Sequence, residues 1–239
     1  MRIRHFIIIP FCTLMMIFGL ASFDKGHLDN ISIVTCIEIQ KTQDGIYHMK
    51  AEIADTGGST DTKPSEANLI SAEGMSIREA YQKLSEIDSS SIYVGHVRLI
   101  LFDLNTAEED GFEDLANFIL QSNDMRFNIQ IALYDSKSGD ILDSETFITG
   151  NKGLDVSRGI RNAAATGENV NTEAFQVINY ADEKTAILFP VVSTIKMNDR
   201  TISYVMDTAV FCDGKLKSRG KLSDITPNLT SEEEETVNE

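Results

Sequence analysis

The chain has 239 residues, 42% of them hydrophobic, with only four prolines and a formal charge of −16. This composition can bury a real core and excludes a disordered protein. The charge argues against a nucleic-acid surface, because phosphate neutralisation needs clustered Lys and Arg.

At the start, Arg2, Arg4 and His5 precede an apolar run from Phe6 to Ala21 that only Thr13 interrupts. Basic residues ahead of a short apolar stretch are the layout of an export signal. The run falls short of the ~20 apolar residues that span a bilayer. Residues 1–21 are therefore expected to be a signal peptide cut between Ala21 and Ser22, or else a retained signal anchor. The remainder is expected to be a domain on the outer side of a membrane.

Ile31–Gln40 alternates like a strand, and Asp44-Gly45 turns the chain into a second one, Ile46–Ile53. Residues 55–65 carry Gly, Ser, Thr and Pro without apolar periodicity and predict a surface loop. Ser76 and Glu79 form a capping box, followed by Ile77, Ala80, Tyr81 and Leu84 at helical spacing. The apolar run Ile92–Phe102 predicts one long strand, covered on most of both faces. A second helix is expected from near Glu108, with Phe112, Leu115, Phe118 and Ile119 on its buried stripe. Phe127–Leu133 reads as the next strand.

Further on, Asp140–Leu142 and Ser157–Ala165 suggest short helical segments, and Thr172–Ala181 another helix. Ala186–Ile195 and Thr201–Phe211 suggest a closing strand pair. The pattern predicts an α+β fold: a mixed β-sheet with helices packed on it over residues 22–150, followed by a smaller α+β part over 151–223. The acidic run in 224–239 predicts a disordered tail. Cys36 and Cys212 sit in strand-like stretches; a disulfide between them is permitted in an exported protein, and buried free thiols are the expectation. No Cys or His spacing suggests a metal site, so no cofactor is expected.

Four blocks, in this order along the chain, resemble the N-terminal part of the Ger(x)C family, the C subunits of spore germinant receptors. They are Leu28–Thr35; Glu73–Ala80 running into Ile92–His96; Phe118–Leu120 through Asp124–Arg126; and Thr208–Leu216. Gly74, Tyr93, His96, Arg126 and Phe211 are the motif residues to which the resemblance assigns a structural role. The chain departs from the family at Glu38 and Gln40, where a Gly and an Asp are usual, at Gln121 for an Arg, and at the extra Lys217-Ser218-Arg219. Ser22 stands where the family carries a lipid-bearing Cys, so lipid attachment is not expected. The family's further C-terminal domain is not expected after Leu222.

His96 and Arg98 lie within the apolar run. In a continuous strand they would share a face with Ile92, Val94 and Ile100, aimed at the helix layer. The expected role of His96 is a satisfied hydrogen bond in the fold, since no nucleophile elbow, carboxylate pair or metal-spaced histidine accompanies it. The resemblance implies a non-enzymatic accessory subunit at the outer face of the spore inner membrane, beside integral-membrane A and B subunits. The alternative, reached from the residues alone, is an exported ligand- or solute-binding module using a cleft between its two parts.

Overall fold

The structure is a computed structural model describing residues 31–54, 68–87, 91–144, 150–198 and 200–225. The export signal, the loop at 55–65 and the acidic tail beyond Ile225 lie outside the described residues.

The fold is α+β. β1 (Ile31–Lys41), β2 (Tyr47–Ile53) and β3 (Asn68–Gly74) form an antiparallel meander. After α1 (Ile77–Ile87), the short β4 (Ser91–Tyr93) runs parallel to the start of β1, and β5 (Leu99–Asp103) runs parallel to its middle. Next come α2 (Leu104–Asp110), α3 (Glu113–Gln121) and β6 (Gln130–Tyr134), then α4 (Lys152–Ala165) and α5 (Ala174–Glu183). The chain closes with β7 (Ala186–Met197), β8 (Arg200–Cys212) and β9 (Lys215–Gly220). The main sheet order is β3-β2-β1-β5-β6-β7-β8-β9. β1, β5, β6 and β7 are mutually parallel, so all four begin at one end of the sheet.

β5 and β6 are buried at every position, which matches their apolar sequences and their central place. One face carries the main core. There the Phe112 ring stacks on Phe189 at 4.7 Å and meets Phe211 edge-on at 5.0 Å and Tyr180 at 5.7 Å. On the other face a smaller cluster, including Cys36, Leu101, Tyr134 and Val192, packs with Val156 and Ile160 of α4.

Several expectations are corrected. The run Ile92–Phe102 is two strands, because a turn with the Val97 N–H on the Val94 carbonyl at 3.1 Å intervenes. The helix expected from Glu108 is two helices. Gly111, at φ 76°, ends α2, so Glu108, Glu109 and Asp110 lie at a helix C-terminus rather than an N-terminus. Residues 140–142 form bends and a turn, and the short helical turn falls earlier, at Ser136–Ser138. Residues 150–171 do not interrupt the sheet: β6 pairs with β7 across them, and the main core holds side chains from both parts. Asp224 and Ile225, expected in the tail, belong to a helical turn that buries Ile225. β3 and β9 were not anticipated. Among the described residues Cys36 and Cys212 form no disulfide; Cys36 is buried and Cys212 half-buried.

Beyond Val192, which still lies opposite β6, β7 and β8 continue as a projecting hairpin. Ile195 and Ile202 pair on one face of it, and Ile195, Met197, Tyr204 and Met206 are exposed.

Candidate functional site

Gly74 ends β3 and leads into α1. A Cβ there would stand 2.4 Å from the backbone nitrogen of Ala80, so only glycine lets the first turn of α1 sit against the strand end. The capping box holds that turn: the Glu79 N–H donates to Ser76 Oγ at 3.1 Å, and the Glu79 carboxylate accepts the Met75 N–H at 2.9 Å. These contacts aim Arg78, Tyr81 and Gln82 across the face of α1.

Opposite them stand Phe118 and Gln121 of α3 and the turn Ser122–Asp124. Val94 closes the floor of a cleft of about 240 Å³. Arg78 Nη1 donates to Gln121 Oε1 at 2.5 Å, and Tyr81 meets Phe118 edge-on at 5.5 Å. Burial raises the Tyr81 hydroxyl above its ordinary pKa; Ser85 opposes this and Asp124 adds to it. The cleft offers one cation, one carboxylate at Asp124, amides and an aromatic wall, which suits contact with a polar group.

Its floor belongs to the segment Ser91–Arg98. Tyr93 folds its ring over Gly95, where an added Cβ would lie 2.4 Å from the phenolic oxygen. His96 meets the Tyr93 ring edge-on at 5.5 Å. His96 is exposed at the turn, not buried under the helix layer as a continuous strand would place it. Arg126 is exposed in the loop before β6, just beyond Asp124. Phe211 lies apart, in the aromatic nucleus of the core. The register sets Gly74 opposite Tyr47 and so level with Lys41 at the end of β1, whereas Tyr93 pairs with Ile33 near its start and His96 and Arg126 precede β5 and β6 at that same end; Phe211 lies apart from all four.

A second polar cluster, on the α4 face, escaped the sequence reading. Glu38 and Glu52 are both buried. Glu52 accepts the N–H groups of Lys152 at 2.6 Å and Gly153 at 2.9 Å, together with the Thr35 hydroxyl at 2.9 Å. Glu38 accepts the Leu142 N–H at 3.0 Å. Lys50 bridges Asp140 and Asp143, the latter at 2.8 Å, so the stretch 140–143 is fastened to β1 and β2. Burial lifts the Glu38 carboxyl from 4.5 to about 7, against the Leu142 N–H that lowers it. The available signal was two carboxylates inside otherwise buried strand sequence. Their partners lie some 100 positions away. Among the described residues no group of three or more His, Cys, Asp or Glu could hold a metal ion.

The profile of the family described as spore germination protein N-terminal domain matches residues 24–194. The chain belongs to this family. Within its span fall the cleft, both buried glutamates and four of the five motif residues; Phe211 lies beyond it. Spore germination protein KC of Bacillus subtilis (strain 168) is 29% identical over 111 residues, covering 43% of this chain and 26% of the relative. The crystal structure of the GerBC protein matches with a TM-score of 0.39 and 12% identity, over 78% of this chain and 52% of that one. The chain thus spans about a quarter of the curated relative and about half of the solved one.

Proposed function

We propose that the protein acts in spore germination as a non-enzymatic accessory subunit of a germinant receptor. It would work at the outer face of the spore inner membrane, beside integral-membrane A and B subunits. The observation that carries this reading is the family match over residues 24–194, which spans both faces of the sheet. The side-chain arrangement is compatible with it. The two buried glutamates are engaged with backbone N–H groups of the fold, which suits a structural role better than a chemical one.

Affinity purification of the tagged protein from spore membranes tests the proposal. Co-purification of two integral-membrane subunits, and slowed germination when the gene is deleted, are the expected results. Recovery without membrane partners and with normal germination would overturn it. A second reading, an exported ligand-binding module, has the α1–α3 cleft in its favour. Small-molecule binding that Arg78→Ala abolishes, in a strain that germinates normally, would select it.

A further inference from the structure

Besides Met75, Ile87 and Leu120 on the helix layer, two groups of exposed large apolar side chains lie at opposite ends of the sheet. One is the projecting β7–β8 hairpin. The other is the end at which the parallel strands begin, where the loops before β5 and β6 lie beside the start of β1. At this second end Phe127 is 53%, Phe175 47% and Tyr93 36% exposed. Phe127 and Phe175 are neighbours, since the Phe175 N–H donates to the Phe127 carbonyl at 3.0 Å.

Cationic residues lie in the same two loops. Arg98 and Arg126 are exposed and make no ion pair among the described residues, and His96 sits against Tyr93. The Arg98 carbonyl accepts the Gln130 N–H at 3.1 Å, and the Arg126 carbonyl accepts the Ile129 N–H at 3.4 Å, so the two arginines flank the start of one strand. Across residues 94–98 and 122–129 the only acid is Asp124, and Glu173 is the one acid beside Phe175, in a chain of net charge −16. Exposed aromatic rings among arginines are the composition of surfaces that seat at a lipid headgroup layer.

From this end we infer that the domain docks on an anionic phospholipid surface through Tyr93, Phe127 and Phe175, with Arg98 and Arg126 against the headgroups. The inference rests on the membrane association proposed above. Chain geometry decides between the two apolar ends. Where the apolar run ending at Ala21 is retained as an anchor, only residues 22–30 separate it from Ile31. Nine residues span at most about 30 Å when fully extended. That tether reaches the loop end of the sheet, whereas the hairpin tip stands a further strand length away. The negative charge elsewhere on the domain does not cancel the attraction, because exposed charges are screened beyond about 10 Å at moderate salt.

The chain contains no tryptophan, so Phe127→Trp introduces a single fluorophore at this end and Tyr204→Trp one on the hairpin. Each full-length variant is reconstituted with vesicles of phosphatidylglycerol and phosphatidylcholine, and circular dichroism checks that it is folded. The Phe127→Trp emission is expected to shift to shorter wavelength and to be quenched by brominated lipid. Adding Arg98→Glu and Arg126→Glu should reverse both effects, and Tyr204→Trp should show neither. If Phe127→Trp misfolds, Phe175→Trp takes its place with the same expectation. An unshifted, unquenched indole at position 127 in protein that sediments with the vesicles would overturn the docking face while leaving membrane association standing. Failure to sediment at all would overturn both, and quenching of the hairpin variant instead would show the opposite orientation.

Discussion

Glu52 and Gly153, 101 positions apart in sequence, are joined by a 2.9 Å hydrogen bond from the Gly153 N–H to the Glu52 carboxylate. The same side chain takes the Lys152 N–H and the Thr35 hydroxyl, so it caps the first turn of α4 from a neighbouring strand. Burial holds its pKa above the ordinary value in spite of those donors. Glu52→Ala would leave these donors without an acceptor and should cost about 1 to 3 kcal/mol or more. Glu52→Gln, which keeps one acceptor oxygen, should cost less. Urea unfolding midpoints of the three proteins check the order; equal midpoints would contradict it.

Glu38 predicts a pH dependence. Its carboxyl is raised from 4.5 to about 7, chiefly by burial, so the folded protein holds a proton that the unfolded chain releases near 4.5. The stability this group contributes is therefore fully present below about pH 4.5 and is lost as pH rises through about 7. The loss is on the order of 3 kcal/mol. Glu38→Gln cannot ionise and still offers an oxygen to the Leu142 N–H. Guanidinium unfolding between pH 5 and 8 should show a flatter profile for the variant, with its largest relative gain at the alkaline end. Parallel profiles would sink the assignment.

Gly74→Ala places a methyl 2.4 Å from the Ala80 nitrogen, a backbone atom that cannot step aside without moving α1. A loss of about 1 to 3 kcal/mol is expected. Gly220→Ala is the control, since an added Cβ there meets nothing within 4 Å. Differential scanning calorimetry of both variants should show a lowered melting temperature for the first alone.

His96→Ala should change stability by no more than about 0.5 kcal/mol, because the side chain is exposed and touches Tyr93 only by its edge. This is smaller than a buried, hydrogen-bonded histidine would give. Thermal unfolding of the purified variant provides the check, and a drop on the scale of a lost buried hydrogen bond would return His96 to a structural role.

Elements whose signals are local were legible. Asp44-Gly45 marked the first hairpin, and Gly45 takes a φ of 79° there. Ser76 and Glu79 marked the start of α1. What escaped depends on distant partners. β9 reads Lys-Leu-Lys-Ser-Arg-Gly and becomes a strand only because β8 offers it an edge. β3, with little alternation, is held by its seven-residue register with β2. The 92–102 run misled because hydrophobicity reports burial and not direction. Val94 and Val97 are buried, yet their strand breaks between them and turns His96 outward. Of the candidate site, Gly74 and its helix start were readable, whereas the lining from Gln121 to Asp124 follows from how α3 crosses the sheet.

The parallel run of β1, β5, β6 and β7 gives the domain a height. β7 alone has 12 residues, a rise of roughly 40 Å at about 3.3 Å per residue. If the strand beginnings rest on a bilayer as proposed, the hairpin tip at Asn198 becomes the summit of a rigid mast. Whatever grips Ile195, Met197 and Tyr204 must then extend that far above the lipid. A partner confined to short extramembrane loops would pass beneath the hairpin and meet the flank of the sheet instead.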